Sequence, residues 1–187
     1  ADLEAAAERY YGALDEQNAA RTAMEAEQVK IDEATAQIAN LETSQIKALT
    51  AAQLGAMSTS QIAAIETQDL EQLTAAQIKG LTTDGVKALT TGQIGAMKYA
   101  QIAALSTDQI AQISTGGIAQ LSTDQVKALT AAQLANVTAT QIDALSPAQI
   151  AALGADVAGL PAAAMASLDA AQVAAIAPAS LATLSNA

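Results

Sequence analysis

Ser106 to Leu129 reads STDQIAQI, STGGIAQL, STDQVKAL: one eight-residue phrase three times over, with Ser at its first place and Ile or Val at its fifth. Followed outward in both directions, the phrase runs without a gap from Glu42 to Leu153, fourteen units in all. Position five is Ile, Leu or Val in every unit, from Ile46 to Ile150, and position eight is Leu, Met, Ile or Val, from Leu49 to Leu153. Position one is Ser or Thr in eleven of the fourteen, and position four is Gln in eleven. A fixed short period is the mark of a repeat array, in which each unit is held by its neighbours and none folds alone.

The phrase is a helix-start signal. Ser or Thr followed three residues later by Gln is a capping box: the hydroxyl accepts the N3 amide while the Gln side chain reaches back to the N-cap amide. The residue before the cap is the previous unit's position eight and the residue at N4 is position five, so an apolar pair forms a hydrophobic staple at the same place. Pro147, directly after Ser146, fits N1, where a missing amide costs nothing, and Pro178 holds the same octad position after Ala177.

One continuous helix does not fit this pattern. Eight residues at about 100° each advance about 800°, so the apolar pair would rotate by about 80° per unit and wind around the rod. Short helices of about seven residues, with a turn at every Ser or Thr, keep positions five and eight on one face. A β-solenoid competes on period, but its strands would show apolar residues two apart, whereas here the intervals alternate between three and five. A two-helix repeat would make related units recur at multiples of sixteen. TAAQ instead opens units at residues 50, 74 and 130, successive intervals of 24 and 56, and the two Met-ending units start 40 apart at 50 and 90; these three intervals are odd multiples of eight.

The pattern therefore predicts an all-α protein: a long N-terminal helix followed by a single-layer α-solenoid of short capped helices, one per eight-residue repeat. Positions five and eight face inward, and two, three and six face outward. Position seven is Ala or Gly in ten of fourteen units, which suits close approach between successive helices. The expected divisions are 1–41, a long acidic helix merging into the first repeat through ATAQIANL at 34–41; 42–153, the octad solenoid; and 154–187, degenerate repeats and a C-terminal cap. The last opens on a seven-residue unit, GADVAGL, where Gly154, Gly159 and Pro161 suggest a bend.

Residues 1–42 hold ten acids against Arg9, Arg21 and Lys30, contain no Pro, and are rich in Ala, Glu, Gln and Leu. Leu3, Tyr10, Met24, Ile31 and Ile38 lie seven or fourteen apart, with Ala7 and Leu14 at a second seam position, but Gln17, Arg21, Gln28 and Thr35 interrupt it. Two readings stay open: a capping helix packed on the array, or a self-associating coiled coil.

Composition narrows the function. The chain has no His and no Cys, so thiol-zinc sites, Cys–His nucleophiles, Ser–His–Asp triads and disulfides are excluded by inventory. A net charge of −11 opposes binding to nucleic acid or to anionic lipid. No apolar run approaches the roughly 20 residues that span a bilayer, so membrane insertion is not expected. No charged-then-apolar leader is visible at the start, although ADLEAAAERYY equally suits a processed terminus or a cut from a longer chain.

Asp15–Glu16 and Asp32–Glu33 are the acidic pairs that a hard cation would need, but neighbours on a helix point about 100° apart and a solvated face explains them. Asp84, Asp108 and Asp124, all at position three, sit where a first turn favours negative charge. Asn136-Val137-Thr138 matches a glycosylation triplet, yet Thr138 is also an expected N-cap. Tyr99, beside Lys98, departs from the usual octad and marks either a contact point or repeat drift. No catalytic, cofactor-binding or metal residue is assigned, and no enzyme activity is expected.

Two tracts carry resemblances. ALTAAQLGAM at 48–57 and LSTDQIAQI at 105–113 resemble the Thr-x-x-Gln-Ile-x-x-Leu tracts of large, repetitive, exported bacterial proteins of adhesin or surface-structure type, a likeness that covers residues 34–153. It implies an extracellular or cell-surface location and an elongated scaffold. LTAAQLGAM at 49–57 also resembles the opening of the repeat in TAL effectors, but the period of eight and the acidic charge deny the likeness any DNA-reading role. The functional expectation is a stalk, spacer or filament-forming segment that self-associates or meets another protein through residues 1–41. The alternative is a solenoid presenting positions two, three and six to a protein or glycan.

Overall fold

The computed structural model describes residues 2–39 and 41–184. It divides into two compact units, Ala1–Asn40 and Leu41–Ala187.

The first unit is one helix, Asp2–Ala39. Residues of high helix propensity and same-face ion pairs support it, among them Arg21–Glu25 at 3.6 Å and Lys30–Glu27 at 3.3 Å. Along the interrupted heptad seam, Tyr10 and Met24 are 67% and 73% exposed. Ile31 and Ile38 are half-buried, and the side chain of Leu3 lies outside the described residues.

The second unit is the array. Among its described residues seventeen short helices and one 3₁₀ segment, Gly154–Gly159, follow one another with no strand. Each octad gives one helix, as in Ala51–Ala56, Thr91–Ala96 and Thr107–Gln112. The boundaries follow from the residues at positions one and eight, which are both extended: ψ is 165° at Ser106 and 129° at Ile113. All eleven Ser and Thr at position one accept a bond from the N3 amide, as the box requires. From Leu49 to Leu145 the position-eight amide then closes each helix on the position-five carbonyl, Leu105 N–H to Ile102 at 3.2 Å for example.

Positions five and eight form the core. Ile62, Ile102, Ile110 and Val126 are fully buried, and Leu73, Leu105 and Ile113 are 3% exposed. Each helix packs on the one three octads further along: Thr43–Ala48 on Thr67–Gln72, Ala75–Lys79 on Tyr99–Ala104, Thr123–Lys127 on Pro147–Leu153. The path is thus a single layer wound as a spiral, with no inner and outer helix pair. At Gly80, a position-seven residue, an added Cβ would stand 2.5 Å from the Ala51 carbonyl oxygen, so here two turns touch backbone to backbone.

The seven-residue unit is absorbed locally. Gly154 takes φ +56°, which only glycine adopts without strain, and the next residues wind as 3₁₀. Val157 and Leu160 nevertheless return to the core at 0% and 7% exposure. Pro147 and Pro178 each open their helix, Pro147–Leu153 and Pro178–Leu184.

Candidate functional site

The feature that recurs with most chemical specificity is the side chain at position four. Its Oε1 accepts the N-cap amide of its own helix: Thr50 N–H to Gln53 at 2.8 Å, Thr90 N–H to Gln93 at 2.8 Å, Lys98 N–H to Gln101 at 2.6 Å. That half was expected. The other half of the amide does a second job, because Nε2 points out of the helix and into the previous turn of the spiral.

Gln93 Nε2 donates to the carbonyls of Ile62 at 3.0 Å and Ile65 at 2.7 Å, which lie 31 and 28 residues earlier. Gln101 repeats this with Leu70 and Leu73, both at 2.8 Å, Gln133 with Ile102 at 3.0 Å and Leu105 at 2.7 Å, and Gln141 with Ile110 at 2.9 Å and Ile113 at 2.8 Å. Gln109 reaches Leu81 at 2.6 Å, Gln149 reaches Leu121 at 2.6 Å, and Gln125 bonds to Met97. Gln77 begins the series, donating to Leu49 at 2.5 Å, and Gln172 ends it with Ile142 at 3.0 Å and Leu145 at 2.7 Å, both one residue closer because of the seven-residue unit.

The physical logic is economical. A helix leaves amides unpaired at its start and carbonyls unpaired at its end. One glutamine serves the first set on its own helix and the second set four octads back. Helices pack three octads apart, while the glutamine at position four reaches the end of the helix four octads back, 28 residues away at position eight. From Gln93 to Gln149 these side chains are at most 5% exposed, and no buried side-chain polar atom among the described residues lacks a partner. The rungs are therefore dry, satisfied hydrogen bonds of the kind that fix register.

Reading the octad as a capping box did not reveal this ladder. A clue was present: Glu completes a capping box as well as Gln does, and Glu42, Glu66 and Glu71 show that the array uses Glu, yet no octad places it at position four. Only an amide also donates. Three octads depart. Gly85 and Gly117 have no side chain to offer, and Asp69, 6% exposed, is too short to span the gap.

The other singled-out residues lie apart from the ladder. Asp15, Glu16, Asp32 and Glu33 are exposed on the long helix, Asp32 accepting from Gln28 Nε2 at 2.8 Å. No group of three acids that could hold a metal occurs among the described residues. Asp84, Asp108 and Asp124 stand in the first turns of their helices, and Lys127 approaches Asp124 at 3.7 Å. Thr138 caps its helix through Gln141 N–H at 3.2 Å, and Asn136 Nδ2 donates to Ala132 at 2.9 Å. Tyr99 is 64% exposed and touches no other ring. No described helix is long and apolar enough to cross a membrane.

A family model described as the ALTTAQ repeat matches residues 34–65, 62–99, 102–139 and 118–155. Each match takes in four or more octads, longer than one turn of the spiral. No curated protein and no solved structure matches the chain.

Proposed function

Since the chain belongs to the ALTTAQ repeat family, we propose that it is a non-enzymatic structural repeat protein, serving as a stalk, spacer or filament-forming segment of a bacterial surface or secreted protein. The observation that carries this reading is the ladder: nine position-four glutamines, from Gln77 to Gln172, each tie their helix to the position-eight carbonyl four units back. Length in such an array grows by adding octads, with no new interface to invent. Octad positions two, three and six are mainly Thr, Ala, Ser and Gly, and their recurrent charges, Asp84, Asp108 and Asp124 at position three and Lys47, Lys79, Lys87 and Lys127 at position six, appear in fewer units than the ladder glutamines, so a binding surface gains no comparable support.

The reading is tested by duplicating residues 74–129, seven octads whose last residue, Leu129, again meets a TAAQ, at 130. Two added turns at a helix-to-helix spacing of about 8–10 Å should lengthen the particle by roughly 16–20 Å in small-angle scattering. A particle that instead thickens without lengthening would refute the spacer. Surface exposure in producing bacteria should appear as cleavage by protease added outside intact cells. Full protection there would remove the surface placement.

A further inference from the structure

Two octads inside the array have nearly the same sequence and are held differently. Thr82–Leu89 reads TTDGVKAL and Ser122–Leu129 reads STDQVKAL, each followed by Thr, so they differ only at positions one and four. Gln125 closes its capping box on Ser122 N–H and donates to the carbonyls of Gly95 at 3.2 Å and of Met97. In Thr82–Leu89 the Thr82 hydroxyl accepts Gly85 N–H at 3.0 Å, but Gly85 completes no box and sends no amide to Leu54 and Met57. The octad also receives none. By the ladder's register its own carbonyls, those of Val86 and Leu89, face position four of the octad four places on, which is Gly117. Because the two glycines stand four octads apart, both missing rungs fall on one unit. Among the described octads from Thr74 to Leu153, Thr82–Leu89 alone is tied by a glutamine on neither side. Glycine further lowers the helix propensity of Thr83–Ala88, and Lys87 stands exposed near the end of that helix.

We propose that Thr82–Leu89 opens first among the interior octads, and that the Lys87–Ala88 bond is thereby a site of limited proteolysis for a lysine-directed serine protease. Such an enzyme acts on the opened chain, so its rate follows the population of the open form. Water adds across the Lys87–Ala88 amide, leaving a carboxylate on Lys87 and an ammonium on Ala88. The cut does not part the array. Gln93, Gln101 and Gln109 lie after the bond and donate to the carbonyls of Ile65, Leu73 and Leu81 before it, so three rungs join the two fragments. The cut concerns one octad whatever the array spans, so it goes beyond the spacer reading and is tested apart from it.

Brief trypsin digestion of the folded chain, with cleavage at each bond quantified by mass spectrometry, is the test. Lys127 is the internal control, since Val, Ala and Leu surround it as they surround Lys87. Lys87 should be cut roughly 10–100-fold faster than Lys127, the margin expected from the hydrogen bonds of one buried rung and from a helical glycine. In the urea-unfolded chain, where no rung exists, the two rates should be similar. Gly85→Gln should bring Lys87 down to the rate of Lys127, and Gln125→Gly should raise Lys127 to the rate of Lys87. Chains cut at Lys87 should leave a sizing column as one particle, and fragments that part would contradict the bridging rungs. Equal rates at Lys87 and Lys127 in the folded chain would overturn the proposal. So would a preference for Lys87 that Gly85→Gln leaves unchanged, or one that the unfolded chain also shows.

Discussion

Gln101 carries two functions that a single substitution can separate. Gln101→Glu leaves the capping acceptor but replaces a donor with a carboxylate facing the carbonyls of Leu70 and Leu73, both 2.8 Å away. The expected loss is about 2–4 kcal/mol by urea unfolding, since buried acceptors go unpaired and a charge is desolvated. Burial raises the folded pKa of the introduced carboxyl, which regains a donor when protonated. The loss should therefore shrink as pH falls through that raised value and grow above it. Gly85→Gln is the converse: it restores a missing rung aimed at the carbonyls of Leu54 and Met57, 31 and 28 residues back by the register of Gln93. An added Cβ there stands 3.2 Å from the Thr82 hydroxyl and 3.7 Å from Ile62, contacts a small shift relieves. A gain of roughly 1–2 kcal/mol is expected from helix propensity and the hydrogen bond. At Gly117 a Cβ meets Ile113 at 3.0 Å and Ile94 at 3.2 Å, so the same substitution there should gain less or destabilise.

The individual helix was legible because its causes are local. Ser106, Gln109 and Ile110 lie within five residues, and cap, box and staple act over that distance. Ser106→Ala should cost about 1 kcal/mol, and Ser106→Ala with Thr50→Ala about twice that, because those two octads are neither stacked on one another nor joined by a glutamine. Chemical denaturation of the single and double variants checks both figures. What the local pattern does not carry is the closure of the spiral. Helices three octads apart stack, while a glutamine such as Gln93 reaches carbonyls 28 and 31 residues back, in the octad four places earlier. The period of eight therefore hides the longer one. The long helix Asp2–Ala39 shows the complementary case: its propensity announced a helix, while its broken seam left the partner of that helix undetermined.

For the whole molecule the ladder implies a graded cooperativity. Among the described residues, turns in the middle are tied on both sides, whereas the glutamines of the first turn reach no earlier turn of the array and Val173 in the last is 43% exposed. Unfolding should start at the ends and the rungs from Gln93 to Gln149 should open last. The sequence could show that all octads are alike, but it could not show that likeness ends at the edges, where Gln45 is exposed and Val173 comes to the surface. The most direct test of the central claim is hydrogen exchange of the glutamine side-chain amides, resolved one by one by nuclear magnetic resonance. If the position-four amides tie each turn to the last, the Nε2 protons of Gln101, Gln133 and Gln141 should exchange orders of magnitude more slowly than those of Gln45 and Gln53. Equal, solvent-like exchange at all five would contradict it.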